Sequence, residues 1–229
     1  MDRRAWLEER RAAVELDYTS DAPDYETGNY PISDTHRAFV ARVVEACPPD
    51  GVVLDAPCGT GRYFELVAAQ GRHVVGADQS AGMVEQARSR GLADLVERTG
   101  LQELAYVDAF DGVLCIDAME HVPPEDWPVV LGNLARALRA AGFLYLTLEV
   151  LAEQQAHVDR ALAEALARGL PAVAGEDVGD DTGGYHFYPS DGQVTEWLAG
   201  AGLETVDDVT DISYDDWGYR HLLVRRATR

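Results

Sequence analysis

The fold turns on Val52-Val53-Leu54-Asp55-Ala56-Pro57-Cys58-Gly59-Thr60-Gly61-Arg62-Tyr63. An apolar run ends at Asp55, two glycines follow, and Phe64-Glu65-Leu66-Val67-Ala68-Ala69 resumes at helical spacing. That order predicts a buried strand, a turn whose glycines let a ligand approach the backbone, and a helix. A dinucleotide-binding turn carries a third glycine so that its helix packs closely on the strand and a pyrophosphate sits at the helix N-terminus. This chain has Phe64 at that place. The bulky ring argues against a dinucleotide turn, and the Asp55 carboxylate would repel a pyrophosphate while attracting an ammonium group.

Downstream, His73-Val74-Val75-Gly76-Ala77-Asp78 reads as a second strand. Asp78 stands at its carboxyl end, where an acidic side chain can accept hydrogen bonds from both hydroxyls of a ribose. It could equally cap the helix that begins near Gln79-Ser80-Ala81-Gly82-Met83. Leu92 to Leu104 should hold the third strand and a loop, and Phe110 to Asp117 the fourth strand, followed by a turn with Glu120 and His121. Val129 to Ala140 fits an amphipathic helix closed by Gly142, with a fifth strand over Phe143 to Val150.

Upstream, Arg3 to Leu16 reads as a charged helical cap. Tyr18 to Pro31 is polar and turn-rich, yet contains Tyr18, Tyr25 and Tyr30, which suits either a surface loop or a lid. Ser33 or Asp34 could cap a helix bearing His36, Phe39, Val40, Val43 and Val44, ended by Pro48-Pro49. Glu153 to Ser190 is an extra segment: a helix through Ala167, then a flexible acidic loop over 175–184 that delivers Tyr185-His186-Phe187-Tyr188. A helix over Asp191 to Ala201 precedes two closing strands, Leu203 to Asp211 and Tyr219 to Arg226, joined by a turn containing Trp217.

The 229 residues, 47% of them hydrophobic, suffice for one well-buried α/β domain. Its expected parts are a cap, lid and first helix over 1–46, a binding core over 47–150, an insertion over 151–190, and a closing helix and hairpin over 191–229. A net charge of −21 and the absence of lysine disfavour nucleic acid, because phosphates call for clustered cations. Cys47, Cys58 and Cys115 have no paired spacing, so no disulfide framework or zinc site is expected. The N-terminal residues lack the apolar core of a signal peptide and no run approaches a membrane span, which predicts a cytoplasmic protein without a membrane partner.

The run Asp55-Ala56-Pro57-Cys58-Gly59-Thr60-Gly61 resembles the first motif of the class I S-adenosylmethionine-dependent methyltransferases, and Gly76 to Arg88 resembles their second. Met119-Glu120-His121 lies in what looks like their fourth motif. The resemblance implies an α/β fold: a Rossmann-like, seven-stranded, mostly parallel sheet with helices on both faces, the last strand antiparallel, and an N-terminal helical cap. It also implies S-adenosylmethionine as cofactor, held by Asp55, Ala56, Gly59, Gly61, Asp78, Gln79, Met83 and Asp117, with Tyr18 and Tyr30 added from the first segment. Family members often place an acidic residue before the adenine loop. Thr99-Gly100-Leu101-Gln102 has none, so backbone groups of Leu101 or the Gln102 amide are expected instead.

Methyl transfer to a hydroxyl or protonated amine releases a proton, and a near-neutral histidine suits that role. His121 is the first choice of base and His186 the second, with His36 and His221 weaker. Tyr25, His36, Tyr185, Tyr188 and Trp217 are expected to line a small-molecule acceptor site, and no metal is indicated. The O, N or C target and the acceptor stay open, as does the assembly, for which the reading allows a homodimer. The alternatives are a non-methylating cofactor-binding module, a dehydrogenase, or a catalyst that uses the cofactor's charge.

Overall fold

Adjacent residues of each central strand face opposite cores, as a pleated strand buried on both sides requires. Leu54, Val113, Leu144 and Leu222 pack into one apolar cluster, while Val53, Leu114, Tyr145 and Leu223 pack into the other. A computed structural model describes residues 2–28, 30–179, 184–214 and 216–228.

The sheet contains β1 (Val52–Asp55), β2 (His73–Asp78), β3 (Leu95–Arg98), β4 (Phe110–Cys115), β5 (Leu138–Leu151), β8 (Leu203–Tyr214) and β9 (Trp217–Arg226) in the order β3-β2-β1-β4-β5-β9-β8. β1 to β5 are parallel, and β9 runs antiparallel between β5 and β8. The seven strands, mostly parallel with an antiparallel closing hairpin, match the expectation. Crossovers from β1 lead outward to β2, and β4 returns to the other side of β1. The carboxyl ends of β1 and β4 therefore flank a topological switch point, where open α/β sheets bind ligands.

One face is covered by α3 (Asp34–Ala46), α4 (Phe64–Ala68) and α5 (Ala81–Ser89), and the other by α6 (Trp127–Ala137) and α8 (Asp191–Gly200). Ser33 caps α3 by accepting from the His36 N–H. Ser80, rather than Asp78, caps α5 by accepting from Met83.

Several boundaries differ from the sequence expectation, among them the closing hairpin, where β8 runs on to Tyr214 and Trp217 opens β9 instead of lying in the turn. α1 (Arg3–Asp21) extends past Leu16 and carries Tyr18 on a helix. It can do so because Gly82 lets α1 lie against α5, where a Cβ would stand 2.5 Å from the Thr19 carbonyl oxygen, and Thr19 Oγ1 meets Ser80 Oγ at 3.0 Å. α6 stops at Ala137 and β5 begins at Leu138, so Gly142 lies within the strand. Part of the expected flexible loop is ordered: β6 (Glu176–Val178) pairs with β7 (Tyr185–Phe187) beside α7 (Gln154–Ala167). Buried Glu176 anchors this pair by accepting from Arg3 and from the Tyr185 hydroxyl. Positions 180–183 of that loop lie outside the described residues. Among the described residues, no helix is long and apolar enough to cross a membrane.

Candidate active site

A cleft opens at the switch point, between the glycine turn, the ends of β2 and β4, and α1. Gly59 has φ 51° and nothing within 4 Å of where its Cβ would be, so the turn shows bare backbone to the cleft. Its N–H donates to Asp78 Oδ2 at 2.9 Å, and the Ser80 N–H donates to Asp78 Oδ1 at 2.8 Å. The carboxylate thereby joins turn to helix. Burial raises the Asp78 pKa, and these two donors partly offset it.

Asp55 is 1% exposed and neither carboxylate oxygen has a hydrogen-bond partner. Burial, reinforced by the charges of Asp78 and Asp117, holds its carboxyl well above the ordinary range. Ala56 is buried behind the turn, donating to the Leu114 carbonyl.

Gly61 has a different task. At φ 79° its absent Cβ would stand 2.6 Å from ring carbons of Phe64, and a Cβ on Gly76 would stand 2.7 Å from the same ring. The Phe64 ring fills the space between turn and β2, at the place where a dinucleotide turn would bring its helix close. Gly61 thus accommodates Phe64 and does not line the cleft.

Gln79, Met83, Leu101 and Gln102 line the far end of the cleft. The Leu101–Glu103 turn is held by Asn133 Nδ2, which donates to the carbonyls of Leu101 and Gln102, both at 2.9 Å. The Gln102 side-chain amide is engaged with Asp126 at 3.2 Å. Arg11 of α1 crosses above, donating to Gln79 Oε1 at 3.3 Å and to both oxygens of Glu103. Neither Asn133 nor Arg11 stood out in the sequence, since each looks like an ordinary polar helix residue.

Tyr18 and Tyr25 line the cleft from the lid side, with ring centroids 5.9 Å apart. α2 (Tyr25–Gly28) is latched to the glycine turn: Thr60 Oγ1 and Arg90 both donate to Glu26. Tyr30 lies elsewhere. It is 56% exposed and rests on Tyr214 and Trp217, at 4.6 Å and 6.4 Å between centroids, while its carbonyl accepts from Arg62. Tyr30 and Trp217 therefore share one aromatic cluster outside the cleft lining.

His121 has both ring nitrogens engaged. Nδ1 lies 3.3 Å from the Tyr185 carbonyl, which can only accept, so Nδ1 carries the proton. Nε2 then accepts from the Tyr18 hydroxyl at 2.9 Å. Burial, together with neighbouring His186, pushes the His121 pKa down to about 4, and burial raises that of Tyr18. Both groups are neutral. His186, with its ring 5.1 Å from His121, meets the Tyr188 hydroxyl at 3.2 Å, and Tyr188 donates to Glu149 at 2.9 Å. Tyr185 departs from the acceptor-lining expectation. Its side chain points into the core against Trp6 and donates to Glu176 at 2.6 Å, so only its backbone faces the histidine.

The opposite wall is backed by residues from distant parts of the chain, of which Asp117 and Tyr63 themselves line the cleft. Asp117, at φ 52°, lines the cleft and donates its N–H to Thr147 Oγ1 at 2.9 Å. His36 Nε2 stands 3.7 Å from Asp117 Oδ1. The His36 ring is surrounded by Tyr63, Tyr145, Tyr219 and His221, with centroids 4.9 to 6.3 Å away. His221 Nδ1 bonds the Tyr145 hydroxyl at 2.7 Å, and burial beside His36 pushes its pKa down to about 4. Glu120 is buried with Oε2 unpartnered, and burial plus nearby Asp117 and Glu149 hold its carboxyl well above the usual range. Among the described residues, no group of three or more candidate ligands is placed to hold a metal ion.

Residues 53–142 match the family described as methyltransferase domain. A ubiquinone biosynthesis O-methyltransferase of Xanthomonas oryzae pv. oryzae is 31% identical over 183 residues, covering 76% of this chain and 71% of the relative. Magnesium protoporphyrin IX methyltransferase of Synechocystis PCC 6803, solved with bound S-adenosylhomocysteine, superposes with a TM-score of 0.66 at 18% identity, covering 96% of this chain and all (100%) of that one. The 1,6-didemethyltoxoflavin-N1-methyltransferase of Burkholderia thailandensis superposes with a TM-score of 0.65 at 18% identity, covering 96% of this chain and 90% of that one. At such identities the two structures speak for the fold. The Xanthomonas relative, aligned over most of both chains, carries more than the fold, and this chain belongs to the class I S-adenosylmethionine-dependent methyltransferases.

Proposed function

We propose that this protein transfers a methyl group from S-adenosylmethionine to an oxygen atom of a small-molecule acceptor in the cytoplasm. The observation that carries the donor half is the buried Asp55 carboxylate at the carboxyl end of β1, whose two oxygens lack partners. Buried polar atoms are rarely left unbonded, and an ammonium group would satisfy both oxygens. Asp78 retains lone pairs for ribose hydroxyls beyond its two backbone bonds. Met83 and Leu101 offer apolar surface for a base, with Gln79 and Gln102 at its edge. These residues fit S-adenosylmethionine.

Bound there, the cofactor supplies a methyl carbon made electrophilic by its sulfonium. The protein's part is to align the acceptor with that carbon and to keep water out. Tyr18, Tyr25 and α1 cover the cleft, and the His121–Tyr18 bond fixes the cover to the Met119–His121 turn. The resemblance to ubiquinone biosynthesis O-methyltransferases supports oxygen over nitrogen as the target.

The test uses methyl-labelled S-adenosylmethionine with two neutral probes of one ring shape, catechol and 1,2-diaminobenzene. Label on catechol oxygen, located by mass spectrometry, is expected. Label confined to the diamine would overturn the oxygen assignment. Absence of S-adenosylhomocysteine binding at high micromolar concentration in calorimetry would remove the donor half.

A further inference from the structure

His36 occupies the first turn of α3 and is 4% exposed. Its backbone N–H donates to Ser33 Oγ at 3.2 Å, and the same oxygen lies 2.7 Å from His36 Nδ1. The serine hydroxyl can give its own proton to Nδ1 while accepting the backbone N–H, an arrangement that leaves the ring proton on Nε2. The opposite tautomer would aim the Nε2 lone pair at the Asp117 carboxylate, so electrostatics favours the same assignment.

Nε2–H and Asp117 Oδ1 are 3.7 Å apart, beyond direct hydrogen-bond reach, and each is buried without a partner. His36 lies behind the cleft lining and Asp117 in it, where Tyr219 also hydrogen-bonds the Asp117 carboxylate; an unpartnered donor and an unpartnered acceptor this close suit a ligand atom that both accepts and donates. A hydroxyl oxygen does both and still has a second lone pair with which to attack. An amine nitrogen that accepted from His36 would have no lone pair left. His121, by contrast, has each nitrogen committed to Tyr18 or to the Tyr185 carbonyl. Asp117 also lines the cleft shared with the glycine turn, which puts this seat on the path to the donor.

We infer that the acceptor's reacting hydroxyl sits between His36 Nε2 and Asp117 Oδ1, that Asp117 takes its proton, and that His36 holds the oxygen through a hydrogen bond. This rests on the O-methyltransferase reading above. In the transfer the acceptor oxygen forms its bond to the methyl carbon and the carbon–sulfur bond breaks, its electron pair remaining on sulfur as a neutral thioether. The hydroxyl proton passes to the Asp117 carboxylate. Asp117 itself and Glu149, both acting on neighbouring Tyr219, put carboxylates beside the seat, so the acceptor class is a neutral or cationic phenol rather than a carboxylated one.

The experiment compares Asp117→Asn, His36→Gln and His121→Ala with the wild-type protein, using catechol and 3,4-dihydroxybenzoate as probes. Asparagine tolerates positive φ, so Asp117→Asn preserves the backbone. It should lower kcat for catechol by about 100-fold or more. His36→Gln should raise the catechol KM about tenfold with a smaller change in kcat, and should weaken catechol binding to the S-adenosylhomocysteine complex measured by intrinsic fluorescence. Both variants should keep S-adenosylhomocysteine affinity, and 3,4-dihydroxybenzoate should bind more weakly than catechol. Wild-type kcat in Asp117→Asn, loss of S-adenosylhomocysteine affinity in step with rate, or a larger kcat loss in His121→Ala would overturn the seat while leaving O-methylation intact. Failure of catechol and of simple neutral phenols to bind the wild-type complex would overturn it too. Label on the diamine alone, in the preceding test, would instead remove the reading beneath it.

Discussion

The two sides of the cleft are assembled in contrasting ways. The donor side takes Asp55, Gly59 and Asp78 from a single β-α-β unit, and its shape is set by backbone: a strand end, a glycine at φ 51°, and two N–H groups on one carboxylate. The facing wall is Asp117, from beyond β4, backed by Ser33 and His36 from α3, Tyr145 from β5, and Tyr219 and His221 from β9. Its shape is set by side chains meeting across the sheet. Backbone constraints tolerate little change, whereas a side-chain wall can be rebuilt around a different acceptor while the donor side stays as it is.

The largest expected effect is on the donor side. Gly61→Ala forces a non-glycine residue to φ 79°, costing roughly 1–2 kcal/mol, and presses a Cβ against the buried Phe64 ring, adding about 1–3 kcal/mol. Urea denaturation should show that loss, and Phe64→Leu in the same background should recover the packing part only. An unchanged urea midpoint in Gly61→Ala would break the contrast, because it would mean the turn is as adaptable as the wall.

A smaller effect belongs to the wall and depends on pH. His221 has a folded pKa of about 4, below its unfolded value of about 6.5. Above that unfolded value the histidine is neutral in both states and its contribution to stability is complete. Between the two values the unfolded chain binds a proton that the folded chain refuses, so stability falls as pH drops, by about 1.4 kcal/mol per pH unit. His121 acts in the same direction, whereas Asp55 and Glu120, with raised pKa values, act in the opposite one. The measurement is therefore the difference between wild type and His221→Gln across this window, and the variant should lose less stability on acidification. Parallel curves would show that His221 is not held neutral by the fold.

The smallest effect concerns Arg11, which bridges the rim of the donor side from α1. The pair it forms with Glu103 is 35% and 52% exposed, so it contributes about 0–1 kcal/mol. Arg11→Ala should weaken S-adenosylhomocysteine binding by no more than about fivefold in calorimetry. A much larger loss would move Arg11 from the rim into the set of residues that touch the cofactor, and would sharpen where the donor side ends.

Much of this was legible before any coordinates. β1 and β2 were readable because a buried parallel strand is a continuous apolar run, and Asp78 marked where the second one stopped. Phe64 could be read as excluding a dinucleotide turn, and the ring does fill the space that Gly61 and Gly76 open. The extent of α1 was not legible, since Tyr18 to Asp21 become helical only through contact with α5 and Ser80. Tyr185 to Tyr188 stood out as an aromatic group delivered by an acidic loop to the next helix, and its strand β7 was not legible. Which of its rings faces inward depended on Glu176 and Trp6, which no local pattern connects to it.

The donor could be read along the chain, because glycine conformations and strand ends are local properties that a cluster of neighbouring residues announces. The identity of the residue that faces the acceptor was decided only in three dimensions. In the sequence, His121 stood first, His186 second and His36 behind them. Burial among particular neighbours left His36 Nε2 open toward Asp117 and closed both nitrogens of His121. Whether a ring nitrogen has a partner depends on side chains brought together across the fold, and the spacing of residues along the chain does not contain that information.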